Sequence, residues 1–196
     1  MPMAIVWPCT ITAHDYAAAG REVEVPRPSC PSCRARMTFH GFYRRPLRVG
    51  EEILRLVVRR ARCRVCRTTH ALLPDFVCLF RLDQIETIGE VIGKMAAKGR
   101  ALLAGVPETT ARDWCRRFRA RAALLTSGFL AVAVAFGDLV GRPPAEAIDT
   151  VLFAIASAVS AARRRFGVLG SDWRIANRIV GGQLLSTNTN PPWIAA

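Results

Sequence analysis

Between residues 54 and 59 apolar and basic side chains alternate. Leu54, Leu56 and Val58 fall on one side of an extended chain, and Arg55, Val57 and Arg59 on the other. A period of two marks a half-buried β-strand. Met37, Phe39, Phe42 and Tyr43 predict a partner strand, with Pro46–Glu52 and its Gly50 as the connection. The pair reads as a hairpin with one apolar face and one face lined by arginines. Further along, the period lengthens to that of a helix. Ile85, Ile88, Val91 and Ile92 predict a helix over Asp83–Met95. Phe118, Ala122, Leu125, Phe129, Val132 and Phe136 form one later stripe, and Ile148, Leu152, Ile155, Val159, Ala162 and Phe166 another. Gly137–Pro144, with Gly141, Pro143 and Pro144, separates the two stripes and predicts an antiparallel helix pair. The same stripes would alternatively serve a homodimer interface. After Gly167 the pattern is mixed, and the apolar opening AIVWPCTITA carries no assignable role.

The hairpin is bracketed by cysteines. Cys30-Pro-Ser-Cys33 precedes it and Cys63-Arg-Val-Cys66 follows it. A hairpin brings its two ends together, and two CxxC turns complete the four-sulfur tetrahedral shell that Zn²⁺ accepts. The expectation is a zinc ribbon with a structural ion, because a closed shell leaves no position for a reacting water. Neither motif lies in a βαβ pattern, which disfavours a redox pair. His70 is read as a neighbour of the shell or a surface residue, with replacement of a cysteine as a ligand the open alternative. Cys9, Cys78 and Cys115 are expected to be ordinary buried thiols. Seven cysteines, an odd number, suit a reducing compartment.

The segment ALLAGVPETTARDWCRRF, residues 101–118, has the spacing of a helix-turn-helix. Ala101 would allow close helix approach, Gly105 would make the turn, and Val106, Ala111 and Trp114 would point inward. Pro107 suits a helix start. The opposite face carries Thr109, Thr110, Arg112, Asp113, Arg116, Arg117 and Arg119, the candidate DNA-binding set. A recognition helix uses such a face in the major groove, where Arg reads guanine edges. The bland reading is a helical hairpin with a solvated arginine face.

Charge adds weight to the DNA reading. The formal net charge is +13 and the pI about 10.8, which favours an anionic partner. Arginine outnumbers lysine 26 to 2, a bias that GC-rich codon usage also produces. Residues 1–80 carry 13 basic and 6 acidic side chains, and residues 122–196 only 6 and 4. The charge therefore gathers where the motifs lie. The longest uncharged apolar stretch, Ala122–Gly137, spans 16 residues, against about 20 for a membrane helix. The opening MPMAIVWPCT lacks the basic start of an export signal, so a cytoplasmic, nucleoid-associated location is expected.

CPSC, the hairpin, RRARCRVC and RTTHALLP together resemble the N-terminal zinc ribbon of insertion-sequence transposases, and the helix-turn-helix follows in their domain order. The resemblance covers roughly residues 22–121. Over its full length, including GREVEVP, TTARDW and TNTNPPW, the chain is similar to uncharacterised actinobacterial helix-turn-helix and domain-of-unknown-function proteins. These resemblances imply DNA binding and a mobile-element origin. Such transposases continue into an RNase H-like domain with three carboxylates for metal-dependent phosphoryl transfer. Here only Asp138, Glu146, Asp149 and Asp172 follow residue 121, in or beside helix-forming sequence. A phosphate loop, a Ser-His-Asp order and an HExxH motif are also missing.

The expected fold class is α+β: an N-terminal segment (1–21), a four-cysteine zinc ribbon (22–79), a helix-turn-helix (80–121) and a mostly α-helical C-terminal part with a polar tail (122–196). The expected function is non-enzymatic, sequence-specific binding of double-stranded DNA, as a transcriptional regulator or mobile-element accessory factor. A divergent transposase component and a protein-interaction module docking on a nucleic-acid machine are the alternatives. The Asn188–Trp193 motif of the tail has no assigned role.

Overall fold

THALLP is too short for a helix and too apolar for a surface loop, the composition of a strand covered on both faces. In the computed structural model it is a strand at the heart of a mixed α+β fold. The structure describes residues 4–98, 103, 105–137, 141 and 147–186. Four strands form one sheet: β1 (Ala4–Trp7), β2 (Thr38–Val49), β3 (Glu52–Arg62) and β4 (Thr69–Pro74), in the order β1-β4-β3-β2. β2, β3 and β4 are antiparallel neighbours, and β1 lies parallel to β4. Among the described residues the α-helices are α1 (Ala13–Ala19), α2 (Ile85–Lys98), α3 (Glu108–Ala120), α4 (Ala122–Ala135), α5 (Ala147–Phe166) and α6 (Asp172–Ile179).

The alternation that predicts β3 is realised, with Leu56 and Val58 fully buried. The connection is far shorter than Pro46–Glu52. β2 runs through Pro46 to Val49, and only Gly50 and Glu51 make the turn. β2 is an edge strand, where a proline without an N–H costs no ladder bond if that side faces outward. Gly50 has φ 60°, and a glycine at the first central position suits a two-residue hairpin. The opening residues join this unit. Tyr16 of α1 is fully buried, packs edge-on against Phe76 and donates from its hydroxyl to the Val57 carbonyl at 3.3 Å.

The helices build a second core. Ile85, Ile88, Val91 and Ile92 are all fully buried, beside Ala111, Trp114 and Phe118 of α3. The stripes on α4 and α5 are packed within the chain, with Leu125, Phe129, Ile155 and Val159 inside. Their direction corrects the antiparallel expectation. Phe136 and Phe166, at the C-terminal ends of α4 and α5, stack edge to face at 4.8 Å, which brings those two ends side by side. Eleven residues separate the helices, longer than a tight reversal needs, so the connection does not impose antiparallel packing. Pro143 and Pro144, like Asp138 and Glu146, lie outside the described residues. Among the described residues no single helix is long and apolar enough to cross a membrane, and α3 and α4 meet at 63°.

α6 is the helix that the mixed pattern conceals. Its eight residues are too few for periodicity to show. Ser171 caps it by accepting from the Arg174 N–H, and Trp173 packs flat onto α2 at Gly89. A Cβ at Gly89 would lie 2.2 Å from the indole ring, so only glycine allows this approach.

Candidate metal centre and basic surface

The two CxxC turns meet because the β2–β3 hairpin returns the chain to its starting end. Both turns have the same local construction. The Cys30 N–H donates to the Ala35 carbonyl at 2.8 Å, and the Cys63 N–H to the Thr68 carbonyl at 2.9 Å. The residue after each second cysteine, Arg34 and Arg67, has φ 60°. This left-handed step folds each turn back under its own sulfurs. It is disfavoured for a residue with a side chain.

The sulfurs of Cys30, Cys33, Cys63 and Cys66 all lie within 4.8 Å of one another and could hold a metal ion. Cys30 Sγ is 3.8 Å from Cys66 Sγ, Cys33 Sγ 3.5 Å from Cys63 Sγ, and Cys63 Sγ 3.8 Å from Cys66 Sγ. These separations are too long for disulfides. A tetrahedral ion with metal–sulfur bonds of ~2.3 Å has sulfur–sulfur edges of ~3.8 Å. The cluster thus already has the dimensions of a four-sulfur shell.

Its electrostatics favour a cation. Burial opposes ionisation of Cys30, but the N–H groups of Cys33 and Ser32, together with hydrogen bonds from the Cys66 and Cys33 thiols, outweigh it and bring the thiol down to about 6. Cys66 is pushed up to about 12 by its hydrogen bond with Cys33, by burial and by the other sulfurs. Without a cation the four sulfurs cannot all ionise together, and a bound dication removes that conflict. Arg34, Arg36, Arg62, Arg64 and Arg67 are all exposed around the cluster. His70 is not part of it. The ring is buried on β4, with Nε2 3.2 Å from Thr68 Oγ1. Cys9, Cys78 and Cys115 are buried elsewhere, and burial raises each thiol, that of Cys78 to about 11.

α3 buries Ala111, Trp114, Cys115 and Phe118. Thr109, Arg112, Arg116 and Arg119 are exposed on its other side, while Thr110, Asp113 and Arg117 are half-buried. The arginines do not stand alone. Arg112 reaches Glu108 at 2.5 Å, Arg117 reaches Asp113 at 2.6 Å, and Arg116 also bonds Asp113. An exposed pair one turn apart, such as Arg112 with Glu108, is worth about 0.3–0.5 kcal/mol, whereas the Arg117–Asp113 pair is half-buried. Gly105 precedes α3 with φ 77°, and Val106 is half-buried against the helical core. Ala101 lies outside the described residues.

The periodicity of the sequence gives no sign of how the sheet meets α3. A Cβ at Gly105 would lie 3.4 Å from the Gly50 carbonyl, so the hairpin tip rests on the turn before α3. Arg48 of β2 holds Asp83 with two bonds, of 2.7 and 3.1 Å. Its backbone also bonds Leu82 and Gln84. Arg48 is one of several arginines in β2 and β3, and nothing in the local pattern marks it as different. Arg44 and Arg55 remain exposed on the hairpin. Arg59 lies over the Phe39 ring at 4.7 Å, and Arg21 over Phe42 at 4.2 Å.

A family model described as a domain of unknown function, DUF6431, matches residues 30–114, from the first cysteine of the cluster into α3. No curated protein and no solved structure matches the chain.

Proposed function

We propose that this chain is a zinc-stabilised, sequence-specific DNA-binding protein, acting as a transcriptional regulator or a mobile-element accessory factor. One observation carries the reading. The cysteine-bound hairpin, with its exposed arginines, rests through Gly50 on the turn that introduces the arginine-bearing face of α3. Two basic surfaces are thereby held at a set relation, as a protein that grips phosphates while reading bases requires. Zinc is the ion assigned to Cys30, Cys33, Cys63 and Cys66, because four thiolates in a tetrahedron suit it and close its shell. Such an ion supplies folding energy and no reaction. In this reading Arg112, Arg116 and Thr109 contact base edges, with Thr110, Arg117 and Arg119 on adjoining phosphates. The hairpin arginines follow the backbone, and a nucleoid location follows from the same contacts.

The test is binding to duplex DNA over a range of salt. The logarithm of the affinity falls with the logarithm of salt by about 0.9 per phosphate contact. Arg112→Ala and Arg116→Ala each relax sequence preference, by roughly 1–3 kcal/mol at one position. Salt-independent binding, or variants that select the same sites as the parent, overturns the reading.

A further inference from the structure

Phe80 is the apex of a turn, Cys78–Arg81, that joins the sheet to α2. Its backbone has φ 60° and the residue is 67% exposed. A bulky residue in the left-handed region is a true outlier, and an exposed ring gains nothing from burial. The turn is nevertheless tightly held. One guanidinium nitrogen of Arg45 donates to the carbonyls of both Cys78 and Arg81 at 2.7 Å. The Leu79 N–H donates to the Gly182 carbonyl at 2.9 Å, and Arg81 reaches the Leu185 carbonyl at 3.4 Å. The fold thus fixes an aromatic ring outward at a steric cost.

Phe80 and the start of α3 both line a notch of about 360 Å³. Thr109, Thr110 and Asp113 of α3 line it together with Arg48, Arg81 and Asp83. Asp83 is matched by Arg48, and Asp113 by Arg116 and Arg117. The charged side chains of the lining itself, Arg48 and Arg81 against Asp83 and Asp113, balance, and threonine hydroxyls and an aromatic side chain complete it. That chemistry suits a flat, uncharged heterocycle better than a phosphate.

We propose that Phe80 stacks on a nucleobase of the bound DNA, in the notch between the Cys78–Arg81 turn and α3. This inference rests on the DNA-binding reading and extends it. The outward face of α3 meets base edges, while Phe80 meets one neighbouring base by its face. Stacking is indifferent to base identity, but partial unstacking is easiest at pyrimidine–purine steps. A TA or CA step beside the α3 contacts is therefore preferred.

The experiment uses the full metal-loaded chain and a mixed-sequence duplex in which bromodeoxyuridine replaces thymidine. Irradiation is expected to crosslink the peptide that contains Phe80. Phe80→Gly removes the ring and also relaxes the left-handed backbone. It should weaken duplex binding roughly ten-fold, leave the salt slope unchanged and keep or raise the thermal midpoint. Phe80→Trp should retain the affinity. If the parent binds DNA with steep salt dependence, yet Phe80→Gly binds equally well and the peptide carries no crosslink, this inference falls and the DNA reading stands. If the parent binds no duplex at all, both fall.

Discussion

Asp113 accepts hydrogen bonds from Arg117 at 2.6 Å and from Arg116 on the face of α3 proposed to meet DNA. The Arg117 bond, opposed by slight burial and helped by Arg116, holds its carboxyl below the usual value of 3.8. A depressed folded value contributes stability that is present above the unfolded value and lost as pH falls through the folded one. Asp113 is thus charged throughout the neutral range and restrains two arginines there. Asp113→Asn should tighten non-specific duplex binding and steepen the salt slope by about one to two phosphate contacts. The gain should be the same at pH 6 and pH 8; fluorescence anisotropy at several salt concentrations measures it. A gain that changes between those pH values would show that another group controls the arginines. The identity of these residues was legible as a helical face, but their mutual pairing depends on rotamers that spacing does not specify.

Among the elements, the cysteine-bracketed hairpin makes the sharpest predictions. If the cluster holds zinc as proposed, removing the ion should unfold the turns at Cys30–Cys33 and Cys63–Cys66, since structural zinc contributes on the order of 10 kcal/mol in small domains. Cys33→Ser should lower the bound zinc below one ion per chain and lower the thermal midpoint. Metal analysis alongside calorimetry checks both. Arg34 and Arg67 carry a left-handed cost of roughly 1 kcal/mol or more each. Arg34→Gly and Arg67→Gly should therefore hold or raise stability in denaturant, while weakening DNA binding if these side chains reach phosphates. The paired CxxC motifs showed the cluster in advance because CxxC geometry is local. α6 was not legible, since a short helix gains its stability from what it touches. Gly89 shows the same limit: its role appears only when Trp173 lies across it.

At the scale of the molecule, the sheet core and the helical core meet through a buried polar group. Asp75, just past the end of β4, is 2% exposed and pairs with Arg174 of α6 at 2.9 Å and Arg178 at 3.6 Å. Asn177, fully buried between those arginines, donates to the carbonyls of Asp75 and Val77 at 2.8 and 2.9 Å. Removing Asp75 takes the acidic partner from Arg178 and leaves Arg174 only Glu86, at 3.5 Å, so Asp75→Ala should cost about 3 kcal/mol. Asn177→Ala strands two buried carbonyls and should cost about 1–3 kcal/mol. Chemical denaturation read separately from tryptophan fluorescence and from metal release should give coincident transitions for the parent chain. Separate transitions would show that α6 does not couple the two cores.

The sequence by itself determined what short range and periodicity encode. It specified the paired cysteine turns, the arginine-faced strand, the buried stripes of α2 to α5 and the concentration of charge in the first two-thirds of the chain. Only the tertiary structure decided the partners across long separations. Examples are β1 beside β4, the ends of α4 and α5 brought together, the hairpin tip on Gly105, Asp75 under α6, and Phe80 held outward by Arg45. The physical reason is common to all of them. A repeat of two or 3.6 states which face of an element is apolar, whereas the choice of neighbour depends on how complete faces pack and on which buried polar groups find each other.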